Sequence, residues 1–200
     1  ETALAAEDWA AAPEPPIDRV GFEVCIEKDA QGAGSVGVRL DLNDGVKLQV
    51  VRVLEEGLVA KYNKVAAQDR QIRVCDFVTE VNGVSGDAKA MVGKFVQETI
   101  LSLWVVPAVD FVVKLSNQGS LGVTLFHDTE SISMLVTEVA ADGPVAAHNR
   151  GARAEEQIRV LDRIRSVDGT SGKASQLTAA LSAALAACRD VELRILRPMA

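Results

Sequence analysis

The chain has 200 residues, of which 48% are hydrophobic and 24% are charged, a composition typical of folded globular proteins. Its formal net charge of −7 argues against a nucleic-acid partner and against an anionic membrane surface, since both attract basic proteins. No apolar run reaches the roughly 18 to 20 residues that a helix needs to cross a bilayer. The best candidate, residues 100–109, contains Pro107 and is predicted to form a strand.

The three cysteines, Cys25, Cys75 and Cys188, lie 50 and 113 residues apart along the chain. Neither spacing matches a zinc-ligand pair, and an odd number of cysteines does not make a closed disulfide framework. We therefore expect free thiols that serve as small buried apolar residues in a reducing compartment. The sequence predicts no metal and no cofactor.

The first 19 residues are rich in Ala, Pro and acidic residues and are predicted to form an N-terminal tail. Leu4 and Trp9 would dock this tail, either on the first domain or on a partner. The chain begins at Glu1 instead of Met, as expected of a processed protein or of a chain prepared without its first residue. Removal of a transit peptide would place it in a plastid or mitochondrion, and the cytoplasm is the alternative.

From Val20 onward the pattern predicts a small domain built mainly of strands. Apolar residues alternate with Gly or polar residues at Val20, Phe22, Val24 and Ile26, which is typical of a half-buried strand. The later elements predicted are strands at residues 35–40 and 47–54, a short helix at 57–63, a strand at 72–83, a helix at 87–98 and a strand at 101–105. Asp87 is a suitable N-cap for the second helix.

The predicted strand at residues 72–83 has a second copy at residues 158–169. Asp76 and Asp162 are 86 residues apart (162 − 76), and so are Gly83 and Gly169. Each copy runs into Asn-Gly or Asp-Gly, residues that tolerate the positive φ of a tight turn. The other elements recur in the same order. The sequence thus predicts a tail at 1–19 and two domains at 20–108 and 109–200, each mostly β with about 5–6 strands and two helices.

Several motifs, repeated in the same order, make the chain resemble the PDZ family as a tandem pair over residues 20–200. One is a glycine between two hydrophobic residues, at Gly37 and again at Gly122. Others are the Gly-Pro-Val-Ala-Ala segment from Gly143 and the two blocks that contain Asp76 and Asp162. The resemblance implies a PDZ-like fold of the β-barrel or sandwich type, with helices closing each domain.

The resemblance also implies a peptide-binding site in each domain. An extended or C-terminal peptide would add a strand beside the second strand and the second helix, and the glycine loop would bind its carboxylate. The residues implied in the first domain are Ser35, Val36, Gly37, Val38, Leu40, Ala88, Val92 and Phe95. Those in the second are Ser120, Leu121, Gly122, Val123, Leu125, Leu177, Leu181 and Ala184, with the helices aligned at an offset of 89. Lys28 and Lys114 would assist the carboxylate, and the ligand should be apolar at its last and third-last residues.

Three features depart from the family pattern. The loops begin with Ser35 and Ser120, where Gly is common in the family. Cys75 and Leu161 stand where the family usually has Gly, before the repeated aspartates. Both copies also carry extra residues after the short helix, at 64–71 and 150–157. These loops are predicted either to form a contact surface, given basic residues such as Lys64, or to be plain surface loops.

An enzyme is not expected, because the Gly-x-Ser-x-Gly nucleophile motif is missing and the two histidines, His127 and His148, are predicted to be surface residues. The predicted function is a non-catalytic tandem scaffold or adaptor that binds protein partners. Two alternatives stay open. One is a peripheral subunit of a larger complex, such as a photosynthetic or respiratory membrane complex, docking through its domain surfaces and tail. The other is a regulatory fragment of a protease.

Overall fold

The computed structural model describes residues 19–28, 35–116 and 119–199. The predicted tail residues Leu4 and Trp9 lie outside this range. The chain divides into two compact units, the first extending to Val109 and the second comprising Asp110–Arg197, with Pro198 and Met199 grouped with the first. In the part of the chain described, no helix is long and apolar enough to span a membrane.

The described residues of unit 1 form a six-stranded antiparallel sheet and two α-helices. Its elements are β1 Phe22–Glu27, β2 Val38–Asp41, β3 Leu48–Val53, α1 Leu58–Val65, β4 Phe77–Val81, β5 Val84–Ser85, α2 Ala88–Gln97 and β6 Ile100–Val106. The strand order is β1-β6-β4-β3-β2, and β5 pairs with β4. This order leaves β2 at one edge of the sheet.

The second unit repeats this architecture. Its elements are β7 Ala108–Leu115, β8 Val123–Phe126, β9 Met134–Val139, α3 Pro144–Gly151, β10 Arg163–Val167, β11 Thr170–Ser171, α4 Ala174–Ala186 and β12 Val191–Pro198. The strand order is β7-β12-β10-β9-β8, with β11 paired to β10, so β8 is the edge strand that corresponds to β2. The predicted fold class is confirmed for both units.

The strands form where apolar and polar residues alternate, as predicted. In β1 the side chains of Phe22, Val24 and Ile26 are buried and those between them are exposed. The side chains of one face thus enter a core that also holds Leu48 and Met91, both fully buried. A separate core of the same kind lies in unit 2.

The tight turns predicted after the repeated strands are also confirmed. Asn82 and Gly83 have φ of 48° and 75°, and Asp168 and Gly169 have φ of 50° and 77°. Two successive residues with positive φ are typical of a type I′ hairpin turn, and Val81 accordingly pairs with Val84. The strands that follow, β5 and β11, have two residues each, so the sequence shows no alternating pattern by which to predict them.

All three cysteines are free, but only one of them is buried. Cys75 is in the core, whereas Cys25 and Cys188 are exposed, so the expectation of burial is wrong for these two. Cys25 lies on the outward face of β1, where alternation places it opposite its buried neighbours. Cys188 follows the end of α4 with a φ of 48°.

The residues that precede the repeated aspartates have an unusual backbone conformation. Cys75 and Leu161 have φ of 78° and 72°, in the left-handed region that favours glycine. Backbone hydrogen bonds hold this turn: Val50 donates to Asp76 O at 2.8 Å and accepts from Cys75 N–H at 2.8 Å. Both units therefore place a larger residue at a position whose backbone conformation favours glycine.

Each of the two inserted loops is closed by an asparagine. The Asn63 side chain accepts from Ile72 N–H at 2.9 Å and donates to Ile72 C=O at 2.7 Å. Asn149 makes the same two hydrogen bonds with Ile158, at 2.8 and 2.7 Å. A short 3-10 turn lies inside each loop. The extra residues therefore form the same defined loop in both units.

An arginine–aspartate pair anchors each loop to its unit. Asp76 accepts two hydrogen bonds from Arg19, both at 2.8 Å, and Asp162 accepts two from Arg197, at 3.0 and 2.6 Å. Each guanidinium also donates to the carbonyl of the last glutamine of its loop, at 2.6 and 2.5 Å. Such two-point contacts to a carboxylate are the strongest that arginine makes.

Candidate peptide-binding grooves

Each unit places a helix beside its edge strand. The N–H group of Ala88, the first residue of α2, donates to Gly45 O in the loop after β2 at 3.0 Å. Asp87 caps the same helix by accepting from Ala90 N–H at 2.9 Å, as predicted. In unit 2 the corresponding bond joins Ala174 N–H to Ser131 O at 2.8 Å. We call the space between β2 and α2 groove 1, and that between β8 and α4 groove 2.

The glycine loop at the head of groove 1 requires glycine for two reasons. Gly37 has a φ of 79°, and a Cβ atom added to it would lie 2.6 Å from Glu56 O. Gly122 in groove 2 has a φ of 74°, and its added Cβ would lie 2.7 Å from Asp142 O. The loop can therefore approach the chain that begins the short helix only because these residues have no side chain.

The carbonyl groups of the loop in groove 1 all point into the protein. Ser35 O accepts from Leu58 N–H at 3.1 Å, Val36 O from Val59 N–H at 3.0 Å, and Gly37 O from Leu54 N–H at 2.8 Å. In a trans peptide the C=O and the following N–H point in opposite directions. Three successive N–H groups, those of residues 36–38, are therefore directed outward, and such an arrangement binds anions.

The corresponding loop of groove 2 is similar, with one added contact. Leu121 O accepts from Val145 N–H at 3.1 Å, and Gly122 O accepts from Ala140 N–H at 2.9 Å. The N–H groups of Gly122 and residue 123 are therefore directed outward. Ser120 Oγ lies 3.3 Å from Gly122 N and partly satisfies it. Both loops can present N–H donors to a carboxylate.

The predicted side chains of groove 1 form an apolar strip along the core. Five of them are half-buried and pack against the core of unit 1: Val36, Val38, Leu40, Val92 and Phe95. Ala88 is fully buried and belongs to the core itself. The strip is apolar along its length, and its half-exposed side chains can contact a bound segment.

The helix alignment at an offset of 89 is wrong, and this changes the composition of groove 2. The helices begin at Ala88 and Ala174, which are 86 residues apart (174 − 88), and both residues are buried. At this offset the counterparts of Val92 and Phe95 are Thr178 and Leu181. The shared Ser-Gly pairs just before the helices, also 86 residues apart, were a usable signal.

The structure places the other predicted residues of groove 2 at two depths. Val123 and Leu125 are half-buried and pack against the core of unit 2, whereas Leu121 is buried. Leu177 and Ala184 are fully buried in that core, where Leu177 corresponds to Met91. The predicted alignment pairs apolar residues with each other, and it is wrong because the polar Thr178 interrupts that pattern.

The two lysines predicted to assist the carboxylate have different surroundings. Lys28 is buried, and its ammonium donates to the carbonyl of Phe95 near the end of α2. Lys114 is exposed and forms an ion pair with Glu192 at 3.4 Å. Lys28 therefore lies beside the helix of groove 1, whereas Lys114 on β7 forms an exposed ion pair with Glu192 on β12.

Cavities of measurable volume lie elsewhere in each unit. One of about 540 Å³ adjoins α1 and includes Ser35, Glu56 and Lys61 among its lining residues. Another of about 430 Å³ adjoins α3 and includes Pro144 and His148. Neither is lined by residues of the edge strands or of α2 and α4. The grooves are open surface features that lie outside both cavities.

Two solved structures are similar to the chain over nearly its whole length. INAD PDZ45 in complex with NG2 peptide has 17% sequence identity, with 97% of this chain and 96% of that chain covered and a TM-score of 0.40. INAD PDZ45 with NORPA CC-PBM has 14% identity, with 94% and 97% covered and a TM-score of 0.38. No family model and no curated protein matches the chain. The strand order, the paired helices and the glycine loop recur in both units, so the chain is a tandem of two units with one fold, as the resemblance to the PDZ family predicts.

Proposed function

We propose that the chain is a non-catalytic scaffold whose two grooves bind extended C-terminal segments of partner proteins. The observation that carries this proposal is the orientation of the loop at Gly37. The carbonyls of residues 35–37 are bound inside the protein, which directs three N–H groups to the head of groove 1. A terminal carboxylate is the group on a polypeptide that suits such a cluster of donors.

The edge strands supply the second part of the binding mode. Among the described residues, β2 and β8 each have one paired neighbour in their sheets, so the backbone groups on the other side can pair with an added strand. Main-chain hydrogen bonds would then hold the ligand in either unit. The apolar strip of groove 1, from Val38 to Phe95, would receive the side chain of the last residue.

The proposal is tested with a matched pair of peptides. A set of fluorescent heptapeptides that end in Val or Leu is titrated into the full chain, each as the free acid and as the C-terminal amide. We expect the amide to bind at least about tenfold more weakly, since the amide loses the charge that the loop N–H groups stabilise. Equal affinity of acid and amide would contradict the proposed role of the loop.

The assignment of binding to the grooves needs a second readout. Amide shifts of the 15N-labelled chain report separately on β2 with α2 and on β8 with α4. We expect free-acid peptides to shift these residues in both units, and Gly37→Ala to abolish the shifts in unit 1 alone. Peptide-induced shifts confined to the inserted loops would instead favour docking through the domain surfaces.

A further inference from the structure

The outward face of the sheet in unit 1 carries an exposed tryptophan between two glutamates. Trp104 lies on β6, and its side chain is 45% exposed. Its register partners are Glu23 on β1 and Glu80 on β4, and both glutamates are exposed. Residues directly opposite each other in an antiparallel pair have Cβ atoms about 4.5–5.5 Å apart. The indole ring therefore has a carboxylate on each side.

The indole ring is held in place by the strand beside it. A Cβ atom added to Gly21 would lie 3.0 Å from Trp104 Nε1 and 3.2 Å from Cζ2, so the ring lies over Gly21. Farther along the same two strands, Glu27 pairs with Ile100, and both side chains are exposed. We call this outward side of β1, β6 and β4, which carries Trp104, Ile100, Glu23, Glu27 and Glu80, the tryptophan face.

The tryptophan face has negative charge and no positive charge of its own. The strands β1, β4 and β6 contain three glutamates and no lysine or arginine. Glu23 accepts a hydrogen bond from Ser102 Oγ at 2.7 Å. Within residues 19–28, 35–116 and 119–199, none of the three glutamates forms an ion pair. Their charges are therefore available to a cation from outside the unit.

Unit 2 has a different arrangement at the same place. Arg194 on β12 pairs with Ser166, which lies 86 residues after Glu80, the partner of Trp104 (166 − 80). Arg194 therefore stands where unit 1 has the tryptophan, and it forms an ion pair with Asp110 at 3.0 Å. In unit 2 the cation that meets an acidic residue on this face belongs to the unit itself.

The charges of the chain also decide which occupant suits the tryptophan face. Residues 1–18 contain five acidic residues and no basic one, so the charge of this tail opposes that of the face. A second copy of the chain offers the sheet of unit 2, but Arg194 and Lys114 on that sheet are paired with Asp110 and Glu192. A basic segment of another protein has neither disadvantage.

We propose that the tryptophan face is a docking surface for a basic segment of a partner protein. An Arg or Lys side chain of that segment lies on the Trp104 ring between the carboxylates of Glu23 and Glu80. The ring attracts a cation through its π electrons, and arginine is preferred because its planar group both stacks on the ring and binds carboxylates. This docking surface lies outside both grooves and does not depend on their function.

The test uses a basic heptapeptide that cannot bind the glycine loops. It has three arginines separated by glycines and is acetylated and amidated, so it has no terminal charge. The chain has two tryptophans, and Trp9→Phe leaves Trp104 as the only one. We expect the peptide to change the Trp104 emission saturably and to bind at least about tenfold more tightly than its citrulline analogue, which lacks the charge. Raising the salt from about 50 to about 300 mM should weaken binding at least about threefold.

Matched variants identify the residues that bind the peptide, with anisotropy of a labelled arginine peptide as the readout. Glu23→Gln with Glu80→Gln should weaken binding at least about fivefold, and Trp104→Leu, which keeps an apolar side chain, at least about twofold. Glu55→Gln with Glu56→Gln makes the same charge change at exposed residues outside the sheet and should have little effect. The thermal midpoint of each variant shows that folding is retained.

Three outcomes would overturn the inference. Equal affinity for the arginine and citrulline peptides would mean that the face does not select a cation. Equal weakening by the two pairs of glutamine substitutions would mean that net charge alone attracts the peptide. If sedimentation shows that the chain self-associates and that Glu23→Gln with Glu80→Gln prevents it, the occupant is a second copy. Each outcome leaves the function proposed for the grooves untouched.

Discussion

Both units hold the inserted loop with an arginine–aspartate ion pair, but the arginine comes from the start of unit 1 and from the end of unit 2. Arg19 precedes β1 and lies 57 residues before Asp76, whereas Arg197 lies in β12, 35 residues after Asp162. The guanidinium carbons lie 5.6 Å from the Phe22 ring centre in unit 1 and 4.7 Å from that of Phe111 in unit 2. The carboxylate and the aromatic ring thus fix the position of the guanidinium. The arginine that carries it can come from a segment near either the start or the end of the unit.

The two pairs also differ in burial. The side chains of Arg19 and Asp76 are 1% and 3% exposed, whereas those of Arg197 and Asp162 are 16% and 5% exposed. Water can therefore reach the arginine of unit 2 more easily than that of unit 1. We expect loss of the arginine to cost unit 1 more than unit 2, because a carboxylate left unpaired is penalised more where water is excluded.

The largest expected effect comes from removal of these arginines. Arg19→Ala should lower the free energy of unfolding of unit 1 by about 3–5 kcal/mol, and Arg197→Ala should lower that of unit 2 by roughly half as much. Urea titrations followed by resolved amide signals of each unit measure both values. Asp76→Asn in the Arg19→Ala background should restore part of the loss. An equal or larger loss for Arg197→Ala would contradict the role given to burial.

The loop glycines give the next largest effect, with a control in the same unit. Gly45→Ala, at a φ of 72° and with no atom within 4 Å of the added Cβ, should cost only the strain of the left-handed conformation, ~1–2 kcal/mol. Gly37→Ala should cost a further ~1–3 kcal/mol because its Cβ meets Glu56 O at 2.6 Å, and it should abolish peptide binding in groove 1. Equal costs for the two variants would show that the close approach is not needed. Gly122→Ala and Gly169→Ala form the matched pair in unit 2.

The pH dependence of stability tests whether burial or the arginine dominates at the buried carboxyls. Burial raises the pKa of both carboxyls, although the arginines and the backbone N–H groups act in the opposite direction. A raised pKa means that the folded state binds the proton more tightly than the unfolded state. The stability of the native chain relative to Asp76→Asn should therefore be greatest below about pH 3.9 and decrease as pH rises through the folded pKa. A difference that grows with pH would mean that the arginine outweighs burial.

The smallest expected effect concerns the residues with positive φ before the aspartates. Cys75→Gly should stabilise unit 1 by up to ~1 kcal/mol, since it relieves the left-handed strain and removes only a small side chain. Leu161→Gly should change the stability of unit 2 much less, because the loss of a larger, partly buried side chain offsets the same relief. Thermal unfolding of the two variants measures the difference. Destabilisation by Cys75→Gly would show that its thiol packing exceeds the strain.

Much of the fold follows from the sequence because the determinants are local or repeated. Alternation predicts the long strands, Asn-Gly and Asp-Gly predict the turns, and the 86-residue period relates the two units. The arginine–aspartate pairs do not follow, because the repeat equates Asp76 with Asp162 but gives Arg19 and Arg197 no common position. Contacts between distant residues leave a periodic signal only when both partners are repeated.

The sequence predicts the groove residues of the glycine loop well and those of the helix less well. At Gly37 and Gly122 the backbone conformation requires glycine, and a glycine between two hydrophobic residues can be recognised in the sequence. The apolar pattern predicts a helix register in which Leu177 and Ala184 face the groove, but Thr178 interrupts that pattern and both residues are buried in the core. The contact of Thr178 with His127 joins residues 51 positions apart and has no counterpart in unit 1 that could reveal it.

The positions of the two arginines in the chain also decide whether the arginine or the aspartate of each pair is synthesised first. Arg19 leaves the ribosome before Asp76, so in unit 1 a solvated cation precedes the carboxylate that will bury it. In unit 2 the order is reversed, and Asp162 and its loop stay without their anchor until β12 has been made. The nascent second unit is therefore expected to pass through a stage with an open loop and a solvated carboxylate, and its loop should gain protection from protease later than the strands β7–β10 of the same unit.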